Sequence, residues 1–95
     1  MQLKQHTYYI GVPPEMHPDE ARTHIQEALR LCGVDEATFV DANGLYHGQW
    51  ARTIVVTVIG LGQPDELFAS DVGTRLHQMW VLETEQPVDA RAVRL

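Results

Sequence analysis

Apolar and polar positions along this chain switch between two periods. Residues 7–12 (Thr-Tyr-Tyr-Ile-Gly-Val) are aromatic and β-branched, which suits a pleated sheet. Pro13 and Pro14 close that run, because neither can donate to a strand ladder. From Pro18 the spacing becomes helical, with Ala21, Ile25, Ala28, Leu29 and Cys32 recurring on one side. Pro18 fits a first helical turn, and Asp19 and Glu20 sit where the positive end of the helix dipole favours acids. Gly33 offers a left-handed stop. This pattern predicts a helix over 18–32.

Residues 37–60 read as one long hairpin. Thr38-Phe39-Val40 opens a strand, and 52–59 (Arg-Thr-Ile-Val-Val-Thr-Val-Ile) is the clearest strand in the chain. Asn43-Gly44 is a strong turn pair by itself, but a turn there would leave an overlong second arm. A turn near Gly48 equalises the arms, places Trp50 near the tip, and makes Asn43-Gly44 a bulge in the first arm.

After the break at 60–64, Pro64-Asp65-Glu66 repeats the proline-then-acids opening of the first helix. Leu67, Phe68, Val72, Leu76, Met79 and Trp80 fall on one stripe, predicting a second helix that ends at 83–87. Gly73 weakens it by about 1 kcal/mol relative to alanine. Residues 90–95 read as a short last strand with Arg91 and Arg94 on its wet side.

The order β-α-β-β-α-β predicts an α+β, ferredoxin-like sandwich in which two helices cover one face of a four-stranded antiparallel sheet. Alternation then turns Ile54, Val56 and Val58 toward the helices. Thr53, Val55, Thr57 and Ile59 face the other way, joined by Tyr8 or Tyr9 and by Val40 or Phe39. So much carbon on a helix-free face suits a partner, although scattered surface apolars are common.

The 95 residues are room for a single domain, 1–95, with 13 acids against 7 bases and a net charge of −6. That balance disfavours phosphate backbones and anionic membranes. The third strand also lacks the aromatics with which RNA-recognition sheets of this topology stack bases, so no nucleic-acid partner is expected. Cys32 is the one cysteine, the amino terminus has no apolar signal core, and 54–61 is too short to span a bilayer. A cytoplasmic, soluble protein with no membrane partner is the expectation.

Candidate chemistry is sparse. The five histidines (His6, His17, His24, His47, His77) form no ligand-spaced pair, so neither a metal nor another cofactor is expected. Cys32 ends a helix, where the dipole raises a thiol pKa, and it lies on the apolar stripe. Gly60-Leu61-Gly62 lacks a third glycine and a P-loop lysine, and acids occupy the helix start that an anion would need. General acid–base work would have to gather Tyr8, Tyr9, Asp41, Tyr46 and His47 in space; strand-edge tyrosines with wet hydroxyls account for the same pattern. No catalytic residue is assigned.

The run from Asn43 to Trp50, the strand 53–59 and the opening 7–12 together resemble a hairpin and first strand of small uncharacterised proteins of actinobacteria and their phages. The likeness spans about the central half of the chain, and Trp50 stands where those proteins carry a tryptophan nearer Tyr46. The resemblance implies a ferredoxin-like fold and an accessory role, with no catalytic residues to transfer.

The sequence thus favours a non-catalytic, homodimeric interaction or regulatory module acting on another protein, such as a phage-borne accessory factor. Its expected surface is Tyr9, Phe39, Val55 and Thr57 on the free sheet face, with Tyr46 and Trp50 at the hairpin tip. The alternative is a small-molecule binder or enzyme with its site at a dimer interface.

Overall fold

The computed structural model describes residues 2–60 and 66–95. Pro64 and Asp65, on which the second proline–acid opening rests, lie outside the described residues. The elements are β1 (Gln2–Gly11), α1 (Pro18–Leu31), β2 (Thr38–Tyr46), β3 (Gln49–Gly60), α2 (Glu66–Arg75) and β4 (Leu82–Asp89). The sheet order is β2-β3-β1-β4, and every neighbouring pair is antiparallel. This is the expected ferredoxin-like α+β arrangement.

Alternation on the two central strands builds the core. Tyr8, Ile10, Ile54, Val56 and Val58 are buried on one side, together with Ala21, Ile25, Ala28 and Leu29 of α1 and Phe68 and Val72 of α2. Tyr8 meets Phe68 edge-on, with ring centroids 4.8 Å apart, the geometry that aromatic quadrupoles favour. Among the described residues, no helix covers the opposite face of the sheet.

Helix α1 follows its sequence signals closely. His17 is its N-cap, with Nδ1 accepting from the Asp19 amide at 3.1 Å. At its end the Val34 amide reaches Leu29 O and the Gly33 amide reaches Arg30 O, a Schellman closure with Gly33 at φ +77°.

Four expectations need correction. The turn does fall at 47–48, where His47 and Gly48 both have positive φ (50° and 77°), a primed two-residue turn that matches strand twist. The pairing from Thr38↔Thr57 to Tyr46↔Gln49 is nevertheless unbroken, so Asn43-Gly44 forms no bulge. Helix α2 stops at Arg75, leaving Met79 and Trp80 beyond it and exposed, and Leu67 is exposed as well. The last strand is 82–89, not 90–95, which has no regular structure. Finally, β1 begins at Gln2, because its polar first half is paired by both β3 and β4.

The end of α2 repeats the closure of α1 without glycine. The Gln78 amide donates to Gly73 O at 2.8 Å and the His77 amide to Thr74 O, with His77 left-handed at φ 55°. The closing turn brings Gln78 O to 3.1 Å from where a Cβ on Gly73 would stand, which explains a glycine inside this helix.

A left-handed backbone costs an L-residue about 1–2 kcal/mol, of which glycine's extra unfolded-state freedom offsets about 0.5–1 kcal/mol. His77→Gly is therefore expected to raise stability by about 0.5–1 kcal/mol, and Gly33→Ala to lower it by a similar amount. Among the described residues nothing lies within 4 Å of a Cβ at Gly33, so backbone strain sets that cost. Urea denaturation of the two variants tests both signs; a destabilised His77→Gly would contradict the assignment.

Candidate functional site

The connection from α2 to β4 anchors Val81 against the core and carries Gln78, Met79 and Trp80 to the end of the sheet where β1 gives way to Pro13 and Pro14. There it closes a cavity of about 330 Å³ lined by Tyr9, Gly11, Tyr46, Ala51, Gln78 and Trp80, with His47, Met79 and Val12-Pro13-Pro14 at its margins. By strand alternation Tyr9, Gly11, Tyr46 and Ala51 all belong to the helix-free face. The size and mixed lining suit a small organic ligand.

Two glycines make this arrangement possible. A Cβ on Gly44 would stand 2.6 Å from the Tyr46 hydroxyl, so the ring of Tyr46 lies back over Gly44 on the same strand face. There its hydroxyl lies 3.3 Å from Thr53 Oγ1, and the ring meets Trp80 edge-on with centroids 6.1 Å apart. A Cβ on Gly11 would lie 2.6 Å from Gln78 Oε1, so only glycine there leaves the Gln78 amide its place. Gln78 Nε2 donates to Leu76 O at 3.0 Å, which fixes that amide.

The expected surface is divided. Tyr9 and Tyr46 line the cavity. Val55 and Thr57 lie half-buried on the same open face, opposite Tyr9 and Thr7 of β1. Trp50 is 73 % exposed on the hairpin, opposite Leu45 and outside the cavity. Phe39 is a correction: it pairs with Val56 and packs against the core under the helices, and its neighbour Val40 takes the open face.

The five residues considered for acid–base work also separate. Tyr8 is buried in the core, and Asp41 is ion-paired with Arg22 on the helix side. Tyr9, Tyr46 and His47 come together at the cavity. The sequence pattern put Trp80 on a helix stripe and singled out no role for Gln78, yet the two supply one wall.

A larger groove of about 970 Å³ lies between α1 and the start of β2, but its three arginines are each already paired with a carboxylate. Arg30 binds Glu27 through Nε and Nη2 at 2.9 and 2.6 Å. That hydrogen bond holds the Glu27 carboxyl below its usual range and raises the guanidinium. Arg75 similarly binds Asp71 at 2.9 Å and approaches His24 Nδ1 at 3.4 Å. The aromatic cavity, whose described lining includes no carboxylate, is the better candidate for a ligand.

No family model and no curated protein matches this chain. Among solved structures it is similar to a phage SAM lyase in the apo state, with a TM-score of 0.65 and 16 % identity over 96 % of this chain and 92 % of that one. At that identity the likeness establishes the fold. Among the described residues, no helix is long and apolar enough to cross a membrane.

Gly44→Ala is expected to keep the β2–β3 pairing but to swing the Tyr46 ring away from Thr53 and Trp80, since the clash is with a movable side chain. In a Trp50→Phe background, Trp80 emission then shifts toward that of a fully solvated indole, with circular dichroism unchanged. Unaltered Trp80 emission would place Tyr46 elsewhere.

Proposed function

We propose that this chain binds S-adenosylmethionine in the Tyr9–Tyr46–Trp80 cavity and is a lyase that breaks one of its carbon–sulfur bonds, a phage-type accessory activity. The observation that carries this reading is the meeting of three aromatic side chains, from β1, β2 and the α2–β4 connection, around one cavity. Its support from outside the chain is the end-to-end fold likeness to a phage SAM lyase.

The chemistry suits the walls. Adenine stacks on aromatic rings, and a sulfonium is attracted to their negative faces. With no carboxylate among the described lining residues, those faces, the Tyr9 and Tyr46 hydroxyls and Gln78 Oε1 are side-chain groups available to a cation. In a lyase reaction the carbon–sulfur electron pair stays on sulfur, which leaves as a neutral thioether. The four-carbon fragment closes through its own carboxylate oxygen, so the reaction needs no oxidant and no second substrate. Charge disappears along this path, and the apolar margin formed by Val12, Pro13, Pro14 and Met79 disfavours the charged ground state more than the charge-dispersed transition state.

Incubation of the purified protein with S-adenosylmethionine, followed by chromatography, should show methylthioadenosine and homoserine lactone in equal amounts. Trp80→Ala, at a side chain already 60 % exposed, should fold normally and lose about tenfold or more of kcat/KM, the scale on which one aromatic contact acts. Intact substrate together with unquenched Trp80 fluorescence would overturn the reading.

A second reading is the interaction module, and one observation favours it. Val40, Ile59 and Leu82 are exposed on the same helix-free face, around Tyr9, Val55 and Thr57. This apolar face fits a second copy of the chain, with another protein as the alternative occupant; Trp50 and Leu45, paired on the hairpin, turn to the helix side and lie outside it. A homo-oligomer and a ligand site are compatible, because the cavity opens on that face. Light scattering should give a mass above the monomer, and Ile59→Lys with Val40→Lys should return it to the monomer; an unmodified chain that is monomeric at all concentrations would remove this reading.

A further inference from the structure

On the opposite side of the sheet from the aromatic cavity, His6 of β1 pairs with Glu85 of β4, and Tyr8 pairs with Glu83. Alternate residues of the edge strand therefore set two carboxylates beside one imidazole. His6 is only 2 % exposed, yet among the described residues neither Nδ1 nor Nε2 has a hydrogen-bond partner. Buried polar atoms are normally satisfied, so an imidazole buried with both nitrogens unpaired asks for an explanation.

The distances supply one. His6 Nδ1 lies 3.8 Å from Glu85 Oε2, too far for a hydrogen bond. Ligands held about 2.0–2.2 Å from one tetrahedral ion stand roughly 3.3–3.6 Å apart, so this separation is close to that of two atoms sharing a cation. One ligand atom from each of His6, Glu83 and Glu85 lies within 4.8 Å of the others, and both carboxylates are exposed and free to close the difference by rotation.

Lys4 Nζ holds the other carboxylate oxygen, Glu85 Oε1, at 3.0 Å and so turns Oε2 toward His6, as outer groups orient metal ligands. The Lys4 side chain is itself well exposed and can withdraw into water if its charge opposes the ion.

We propose that His6, Glu83 and Glu85 form a binding site for one divalent transition-metal ion, clipping the edge strand β4 to the central strand β1. One imidazole with two carboxylates suits Zn²⁺, Mn²⁺ or Co²⁺ better than the all-oxygen preference of Ca²⁺ or the thiolate preference of Cu⁺. The remaining coordination positions are open to water. This site is independent of the aromatic cavity, which lies across the sheet. Sequence spacing could not reveal it, since seventy-odd residues separate His6 from a Glu-x-Glu pair that reads as an ordinary wet strand face.

The test uses the intact chain, stripped with chelator and titrated with Zn²⁺ by calorimetry and with Co²⁺ by visible absorption. One ion per chain is expected, with d–d bands showing nitrogen–oxygen ligation and a rise in Tm on binding. Glu83→Gln and Glu85→Gln change exposed side chains that leave the core untouched, and each should weaken binding about tenfold or more. Glu36→Gln, just before β2 at the far edge of the sheet from β4, should change nothing. His6→Ala risks the fold, so the glutamate variants carry the test. Absence of saturable Zn²⁺ and Co²⁺ binding, or binding that both glutamate variants retain in full, would overturn the proposal.

Discussion

The contact between Tyr8 and Phe68, at the centre of a stripe that also includes Ile10, Ile54, Val56 and Val58, determines what every other part of the molecule is free to do. Burial of these side chains fixes the pleat phase of β1 and β3. A one-residue slip would reverse it and turn Tyr9, Val55 and Thr57 into the core. Because the phase is fixed, Tyr9 stands on the open face and His6 under the helix side. The two candidate sites are thus consequences of a single packing decision, one on each side of the same strand.

The open face owes its cavity to the way the chain leaves α2. A tight Schellman closure at His77 returns the backbone toward the sheet within a few residues, so that Val81 reaches the core while Trp80 passes to the other face. The glycines at 11 and 44 then matter for the space they leave, not for the dihedral angles they permit; neither has a positive φ. Gly11 admits the Gln78 amide and Gly44 admits the Tyr46 ring. Local backbone chemistry at the end of one helix therefore shapes a pocket assembled from β1, β2 and β3.

Much of this was legible in the chain. The first helix carried every signal of its start and end, and β3 showed the alternation that fixed its faces. Phe39 and Val40 were not separable, since two adjacent apolar residues at a strand start suit either face and only pairing with Val56 and Val55 decides between them. The end of α2 was misread because Met79 and Trp80 continue a helical spacing while the stop is a histidine in the left-handed region, without the usual glycine. Strand β4 was invisible for a related reason: Leu-Glu-Thr-Glu-Gln-Pro-Val-Asp is nearly all exposed, so no burial pattern marks it. Of the cavity, Tyr9 and Tyr46 could be found from strand phase, whereas Trp80 and Gln78 arrive by a turn whose direction no periodicity encodes.

Pro87 in β4 has a wider consequence. Opposite Lys4 on the outermost strand, it withholds a backbone donor, and Glu83, Glu85 and Asp89 crowd the same ribbon with negative charge. A free border of this kind resists templating by a neighbouring chain, so stacking into cross-β fibrils is blocked along that margin. The other border, β2, has neither proline nor a row of acids, which leaves growth by strand addition a polarity: any such assembly would begin there and terminate at β4.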